Sequence, residues 1–301
     1  MSSDFADALA GGPLVLDGGL ATRLEADGYD LDDALWSARL LAERPEAVVA
    51  AHLAFYEAGA DVAVTASYQA TFEGFARRGI GRERAAGLLA RAVELAREAA
   101  RRARAGRRLW VAASAGPYGA MLADGSEYRG RYGLGVDALE RFHRPRLEVL
   151  AAARPDVLAL ETVPDADEAA ALLRAVRGLG VPAWLSYSVA GGLTRAGQPL
   201  EDAFALAADV DEVVAVGVNC CAPGEVAGAV ATAARVTGKP VVAYPNSGES
   251  WGAGGWSGPS VFDAGRVRGW REAGARLIGG CCRVGPGEIA GVAGALAGPD
   301  A

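Results

Sequence analysis

Four cysteines stand in this 301-residue chain as two adjacent pairs, Cys220-Cys221 and Cys281-Cys282. Adjacent cysteines suit a disulfide framework poorly, and four are too few for a disulfide scaffold of this length. In a reducing compartment such clustering points to a metal or to catalysis. Thiolates prefer soft cations, and three sulfurs with one open tetrahedral position would suit a catalytic Zn²⁺. No CxxC spacing accompanies them, so small apolar core cysteines remain the alternative at this level. Cys221, placed beside Cys220 on a strand, is expected on the opposite face as a packing residue.

Such pairs meet only if the elements bearing them do. Short β-rich runs alternate with longer Ala-, Leu- and charge-rich stretches along the whole chain,. The strands are expected at Leu14–Leu20, Asp61–Gln69, Leu109–Pro117, Val157–Thr162, Ala183–Val189, Val213–Cys220, Val241–Pro245 and Arg276–Cys281. Helical patterns follow, among them one from about Pro45, then Arg82 to Arg104, Val136 to Ala153 and Pro286 to Leu296. Eight strand–helix units count to a single-domain α/β fold, a (β/α)8 TIM barrel over residues 1–301 with its core at about 12–298,. A doubly wound sheet is the alternative, because local pattern does not show closure. One polar, Gly-rich loop of nearly 20 residues precedes the Val136 helix, and loops of that length are usually functional.

With these strands, Asp17, Thr65, Gln69, Glu161, Ser188, Asn219, Cys220, Asn246, Cys281 and Cys282 all fall at C-terminal strand ends. Barrel enzymes assemble their active sites at that end. Cys220 and the Cys281-Cys282 pair, one intervening strand apart, are thereby brought to the same mouth.

Composition narrows the function classes. Hydrophobic residues make up 51% and charged residues 22%, as in a soluble globular chain, which excludes disorder and collagen-like repeats,. Thirty basic against 37 acidic residues give a net charge of −7, which argues against a nucleic-acid coat,. The basic run Arg101 to Arg108 reads as charge covering a helix C-terminus,. Asp17-Gly18-Gly19 does not make GxGxxG and no GxxxxGK[ST] occurs, so nucleotide binding has no support,. His52 and His143 fall within helical patterns and read as helix-surface or packing residues rather than ligands or bases. The N-terminal MSSDFADALAGGP lacks the basic and apolar regions of a secretory signal, and no segment has the length of a membrane span,. The chain is therefore expected to be cytoplasmic. No long exposed apolar stripe marks a protein partner, and the oligomeric state is left open.

DGGLAT at Asp17–Thr22, TASYQAT at Thr65–Thr71, GPYGAMLADGSEYRGRYG at Gly116–Gly133, ETVP at Glu161–Pro164, GVNC at Gly217–Cys220, YPNSGE at Tyr244–Glu249 and GGCC at Gly279–Cys282 run in order along the chain. Together they resemble the homocysteine S-methyltransferase family. The DGSEYRG loop resembles the branch that uses S-methylmethionine or S-adenosylmethionine. The resemblance implies a barrel with one zinc held by Cys220, Cys281 and Cys282, the homocysteine thiol taking the remaining position. It further implies Asp17 and Glu161 against the homocysteine ammonium and the Gly18 and Gly19 backbone against its carboxylate. Thr65, Ser67, Gln69, Asn219 and Asn246 are the other substrate-side candidates.

The implied reaction is methyl transfer from a sulfonium to the zinc-bound thiolate, giving methionine, and it needs no histidine because the cation removes the thiol proton. Aromatic faces and carboxylates select a sulfonium, so Glu127, Tyr128, Glu249, Trp251 and Trp256 are donor-side candidates. The competing readings are the same chemistry with betaine or a folate methyl donor and, in another class, a non-enzymatic zinc or thiol sensor.

Overall fold

The computed structural model of the chain describes residues 4–31, 35–252 and 255–298. Eight parallel strands form one sheet: β1 (Leu14–Val15), β2 (Val62–Val64), β3 (Trp110–Ala115), β4 (Val157–Val163), β5 (Ala183–Tyr187), β6 (Val213–Asn219), β7 (Val241–Tyr244) and β8 (Ala275–Ile278). Each pairs with its sequence neighbour from β2 to β8, β8 pairs with β1, and a parallel bridge between Leu16 and Val62 joins β1 to β2. The barrel expectation holds, and the open doubly wound alternative does not.

Period-two alternation explains the packing. Trp110 and Ala112 of β3, Val157 and Ala159 of β4, Trp184 of β5, Ala215 of β6, Val242 and Tyr244 of β7 and Leu277 of β8 form one buried cluster inside the barrel. The alternate residues, such as Val111 and Ala113, Leu158 and Leu160, or Val216 and Val218, join the larger core between sheet and helices. The outer helices present matching stripes. Arg82–Arg102 buries Ala85, Leu88, Leu89, Ala92, Val93, Ala96 and Ala99, the i, i+3, i+4 spacing of an amphipathic helix,.

The N-terminal end of the barrel is plugged. Helix Asp4–Gly11 inserts Phe5 and Leu9 into the interior cluster, with the Phe5 ring edge-on to Trp110 at 5.3 Å and tilted against Trp184 at 6.5 Å. The basic run belongs to this closed end: its helix stops at Arg102, Arg107 pairs with Asp61, and Arg108 pairs with Asp4 and covers Trp110.

Several strands are shorter than the pattern predicts. β1 stops at Val15, because Asp17 turns to accept from the Val64 amide and Tyr244 hydroxyl instead of continuing the ladder. β2 stops at Val64, after which bonds from Ser67 N to Thr65 O and Ala70 N to Ser67 O make turns. The long loop after β3 is also not structureless: it folds into a helix, Tyr118–Leu122, and a 3₁₀ turn, Ser126–Tyr128. The histidines are not on helix surfaces. His52 and His143 are fully buried, and burial lowers both to about pH 4, so both are neutral in the fold.

Candidate active site

Moving along the strands toward their C-terminal ends, the inward positions change from apolar to polar. Ser114 of β3, Glu161 of β4, Ser186 of β5, Asn219 of β6 and Tyr244 of β7 are all buried there. Buried polar groups are stable only when bonded, and these are. Ser114 Oγ and Asn219 Nδ2 donate to the two Glu161 oxygens. Asn219 Oδ1 accepts from the Thr162 amide at 2.7 Å and Ser186 Oγ at 2.8 Å, while its Nδ2 donates to Thr162 Oγ1 at 2.7 Å. Thr65 Oγ1 accepts from the Ser114 amide at 3.0 Å and lies 2.7 Å from Ser67 Oγ, which donates to the Ser114 carbonyl.

Two carboxylates are built into this polar floor. Burial pushes Glu161 up to about 8, against the opposing Ser114 bond and with the Cys220 charge adding to it. Asp17 is likewise raised by burial, in spite of bonds at 2.8 Å from the Val64 amide and the Tyr244 hydroxyl, and Glu161 repels it further. Among the described residues neither acid has a basic partner, and two desolvated acids can receive a cation, since an arriving ammonium favours their charged forms,. Gly18 and Gly19 pass tightly over the same end. A Cβ on Gly18 would stand 2.4 Å from Phe55 Cε1, and the Gly19 amide already donates to the Val284 carbonyl at 2.9 Å.

The cysteines meet beside this floor. Sγ of Cys220 lies 2.8 Å from that of Cys281 and 3.9 Å from that of Cys282, and the last two are 3.9 Å apart. Asn219 and Cys220 both serve the mouth although they are adjacent, which strand alternation forbids. The chain solves this by leaving the strand: Cys220 is left-handed at φ 48°, as is Thr162 after Glu161 at φ 58°. Such conformations cost about 1–3 kcal/mol for residues other than glycine and persist where surrounding bonds enforce them. Here the enforcing bonds are Cys220 N to Tyr244 O, Ser188 Oγ to Cys220 O and the Asn219–Thr162 pair.

The turn that follows β8 needs its glycines. A Cβ on Gly279 would lie 2.7 Å from the Asp17 carbonyl, and one on Gly280 2.3 Å from Val284 Cγ1. Cys281 N donates to Pro245 O, and Cys282 N to Asn246 Oδ1 at 3.2 Å, so Asn246 fixes the doublet rather than facing outward. Within the trio, bonds from Cys220 and Cys281 lower the Cys282 thiol, while Cys281 is raised by its contacts with Cys220 and Cys282. Cys221 points away into the outer core and is fully buried, the packing position expected of it.

Three sulfurs within one ligand sphere fit a soft metal. Tetrahedral Zn²⁺ at about 2.3 Å from each sulfur sets them about 3.8 Å apart, close to two of the three observed separations. Among the described residues no His, Asp or Glu joins the three cysteines, which leaves a fourth position for an exogenous ligand.

The loop between Gly116 and Gly133 follows β3 at the same end of the barrel. Burial, and then the Cys220 charge, raises Glu127, and one of its carboxylate oxygens is buried without a partner. The Cys220 charge, and then burial, raises Tyr128. Gln69 does not face the sulfurs: its Nε2 donates to Ala120 O and holds this loop. Beneath the loop, buried Glu168 accepts from Tyr118 N and meets His143 Nε2 at 2.9 Å, and Arg146 bonds His143 and the Gly116 carbonyl. Glu249 is turned aside. It accepts from Ser247 Oγ at 2.8 Å, the bond that chiefly lowers it, and pairs with Arg283. Trp256 pairs in register with Trp251 in a two-stranded hairpin; the Trp251 side chain lies outside the described residues.

Ser114, Thr162, Ser186, Tyr244 and Tyr68 belong to the site although strand-end reasoning did not single them out. Three of them follow from their neighbours: Ser186 and Tyr244 by counting back two from Ser188 and Asn246, and Thr162 by adjacency to Glu161, whereas Ser114 stands among alanines with no such marker. Tyr68, raised by burial and by the Cys220 charge, had no comparable signal.

A sequence profile of the homocysteine S-methyltransferase family matches residues 14–296. The chain belongs to the homocysteine S-methyltransferase family. It is 47% identical to homocysteine S-methyltransferase 4 of Zea mays, over 95% of this chain and 90% of that one. It is 45% identical to homocysteine S-methyltransferase of Escherichia coli, over 92% and 93%. The crystal structure of the metallated form of the Escherichia coli homocysteine methyltransferase superposes with a TM-score of 0.86 at 44% identity, covering 95% of this chain and 98% of that one. Members of this family are enzymes, and this chain is a methyltransferase with a three-cysteine site able to take a metal. No helix among the described residues is long and apolar enough to cross a membrane.

Proposed function

We propose that the protein transfers a methyl group from a sulfonium donor, S-methylmethionine and secondarily S-adenosylmethionine, to homocysteine, giving methionine. The observation that carries this reading is the meeting of three thiols with two buried, basic-partner-free carboxylates in one barrel mouth. Cys220, Cys281 and Cys282 would hold Zn²⁺, which when bound supplies the positive charge that lets the substrate thiol lose its proton near neutral pH.

The chain's own residues do the rest. Asp17 and Glu161 receive the homocysteine ammonium and fix the direction of its side chain toward the sulfurs. The Gly18 amide is available to its carboxylate, whereas the Gly19 amide is engaged by Val284. Thr65, Ser67, Ser114 and Asn219 hold Glu161 in place, and Asn246 holds Cys282. Glu127 and Tyr128 face the donor side, where a carboxylate and an aromatic ring attract a sulfonium. The homocysteine sulfur forms a bond to the donor methyl carbon, the carbon–sulfur bond of the donor breaks, and its electron pair leaves on the neutral thioether. Alignment of the two sulfurs about that carbon is the chief contribution of the protein.

The test is methionine formation followed by mass spectrometry, with reduced protein, homocysteine and, in parallel, S-methylmethionine, S-adenosylmethionine, betaine or methylfolate. Methionine from the sulfonium donors is expected. Methionine only from betaine or methylfolate would replace the donor assignment. None from any donor, with one metal ion bound, would leave a metal or thiol sensor.

A further inference from the structure

One guanidinium stands against the Cys220 backbone and the Tyr128 ring. Arg195 follows a small hairpin, Val189–Ala190 with Leu193–Thr194, at the end of β5. Its Nε donates to Ser188 Oγ at 3.1 Å and Nη2 reaches the Cys220 carbonyl at 3.5 Å. Its guanidinium carbon stands 5.5 Å from the centre of the Tyr128 ring. Nη1 makes no hydrogen bond, and no carboxylate pairs with Arg195 among the described residues. Neighbouring guanidinium groups are occupied: Arg283 pairs with Glu249, and Arg131 donates to the Ala196 carbonyl.

The backbone around Arg195 is fixed. Its own amide donates to Ser188 O, Ala196 N donates to Pro164 O, and Thr194 N donates to Gln198 O. Gln198 in turn donates to Asp165. A half-buried guanidinium, pinned on one edge and stacked on an aromatic face, presents its remaining N–H groups to an anion with little entropy left to lose. Beside a site that must receive a sulfonium, an unpaired cation is unfavourable unless an anion comes with that sulfonium.

We infer that Arg195 binds the α-carboxylate of the methyl donor, so that the donor subsite selects sulfonium compounds of the amino-acid type. This rests on the proposed sulfonium reading. In such a donor one carbon–sulfur and three carbon–carbon bonds separate the sulfonium from the carboxylate carbon, about 5 Å when extended. Because Arg195 already reaches the Cys220 carbonyl, a donor of that length anchored at Arg195 keeps its methyl group close to the residue that bears one of the sulfurs. Tyr128 then sets the position of the guanidinium that holds the carboxylate, its ring lying beneath it.

The test compares wild type, Arg195→Gln and Arg195→Lys, using S-methylmethionine and its methyl ester as substrates or as competitors. Melting temperature and metal content establish that the variants are folded and loaded. In Arg195→Gln the KM for S-methylmethionine is expected to rise at least about tenfold while the KM for homocysteine stays within about twofold. Wild type should prefer the free carboxylate to the ester by a similar factor, Arg195→Gln should lose that preference, and Arg195→Lys should recover part of it. An unchanged donor KM in Arg195→Gln, a rise confined to homocysteine, or equal acid-to-ester preference in both proteins would overturn the assignment. Absence of methionine from wild type with every donor would instead remove the sulfonium reading, and this inference with it.

Discussion

The two ends of the barrel use the same alternation for opposite purposes. At the N-terminal end the inward positions are Trp110, Val157, Trp184 and Leu277, sealed by Phe5 and Leu9. At the C-terminal end of the same sheet they are Ser114, Glu161, Ser186 and Asn219. The closed end gains stability from apolar burial, roughly 1.5–3 kcal/mol for each large side chain. The open end gives stability up. It holds two carboxylates where ionisation is unfavourable and keeps two non-glycine residues, Thr162 and Cys220, in left-handed backbone. Catalytic geometry in this chain is therefore carried by the strained end and supported by the packed one, the usual trade between stability and activity.

That division is broken most severely at the sulfurs. Cys282→Ser should lower bound metal to well under one equivalent and reduce methionine formation at least about a thousandfold, with melting changed far less than activity. Metal analysis and turnover measured on the same sample check this. At the other end, Trp184→Ala should cost about 3–5 kcal/mol in denaturant unfolding. The folded fraction should keep its metal and most of its activity.

Glu161 sharpens the comparison through pH. Its folded value of about 8 lies above the ordinary 4.5, so the folded protein keeps a proton that the unfolded chain gives up. Its contribution to stability is complete below about pH 4.5 and is lost as the pH rises through 8. Glu161→Gln should raise the homocysteine KM about tenfold or more, yet make the metal-free protein melt with a smaller decline between about pH 4.5 and 8,. Titrated melting curves of the two proteins separate these effects. The smallest change is expected at Cys221, which packs behind the site: Cys221→Ala should cost about 1 kcal/mol and leave metal content and turnover near wild type,.

The sequence made the barrel legible because its strands are short, hydrophobic and regularly interrupted. It made the strand ends less so. The strand expected from Leu14 runs on to Leu20, past Asp17, and only the distant Val64 amide and Tyr244 hydroxyl, which Asp17 binds, show why the ladder stops before it. The three cysteines were visible from composition and spacing, but Asn219 and Cys220 cannot both face the mouth from a regular strand. The left-handed turn that reconciles them is a tertiary effect. Ser114 is flanked by alanines in its strand, and nothing beside it in the sequence marks it as polar floor. Glu249 looked like a partner for a cationic donor, and its commitment to Arg283 depends on a pairing 34 residues away. Residue type and order identified the chemistry, whereas partner choice among charges required the fold.

The most direct test of the central claim is the number of sulfur atoms around the metal, measured by X-ray absorption at the zinc edge before and after homocysteine is added. One zinc per chain is expected, with three sulfur neighbours rising to four when homocysteine binds. An unchanged sulfur count in the presence of saturating homocysteine would contradict it.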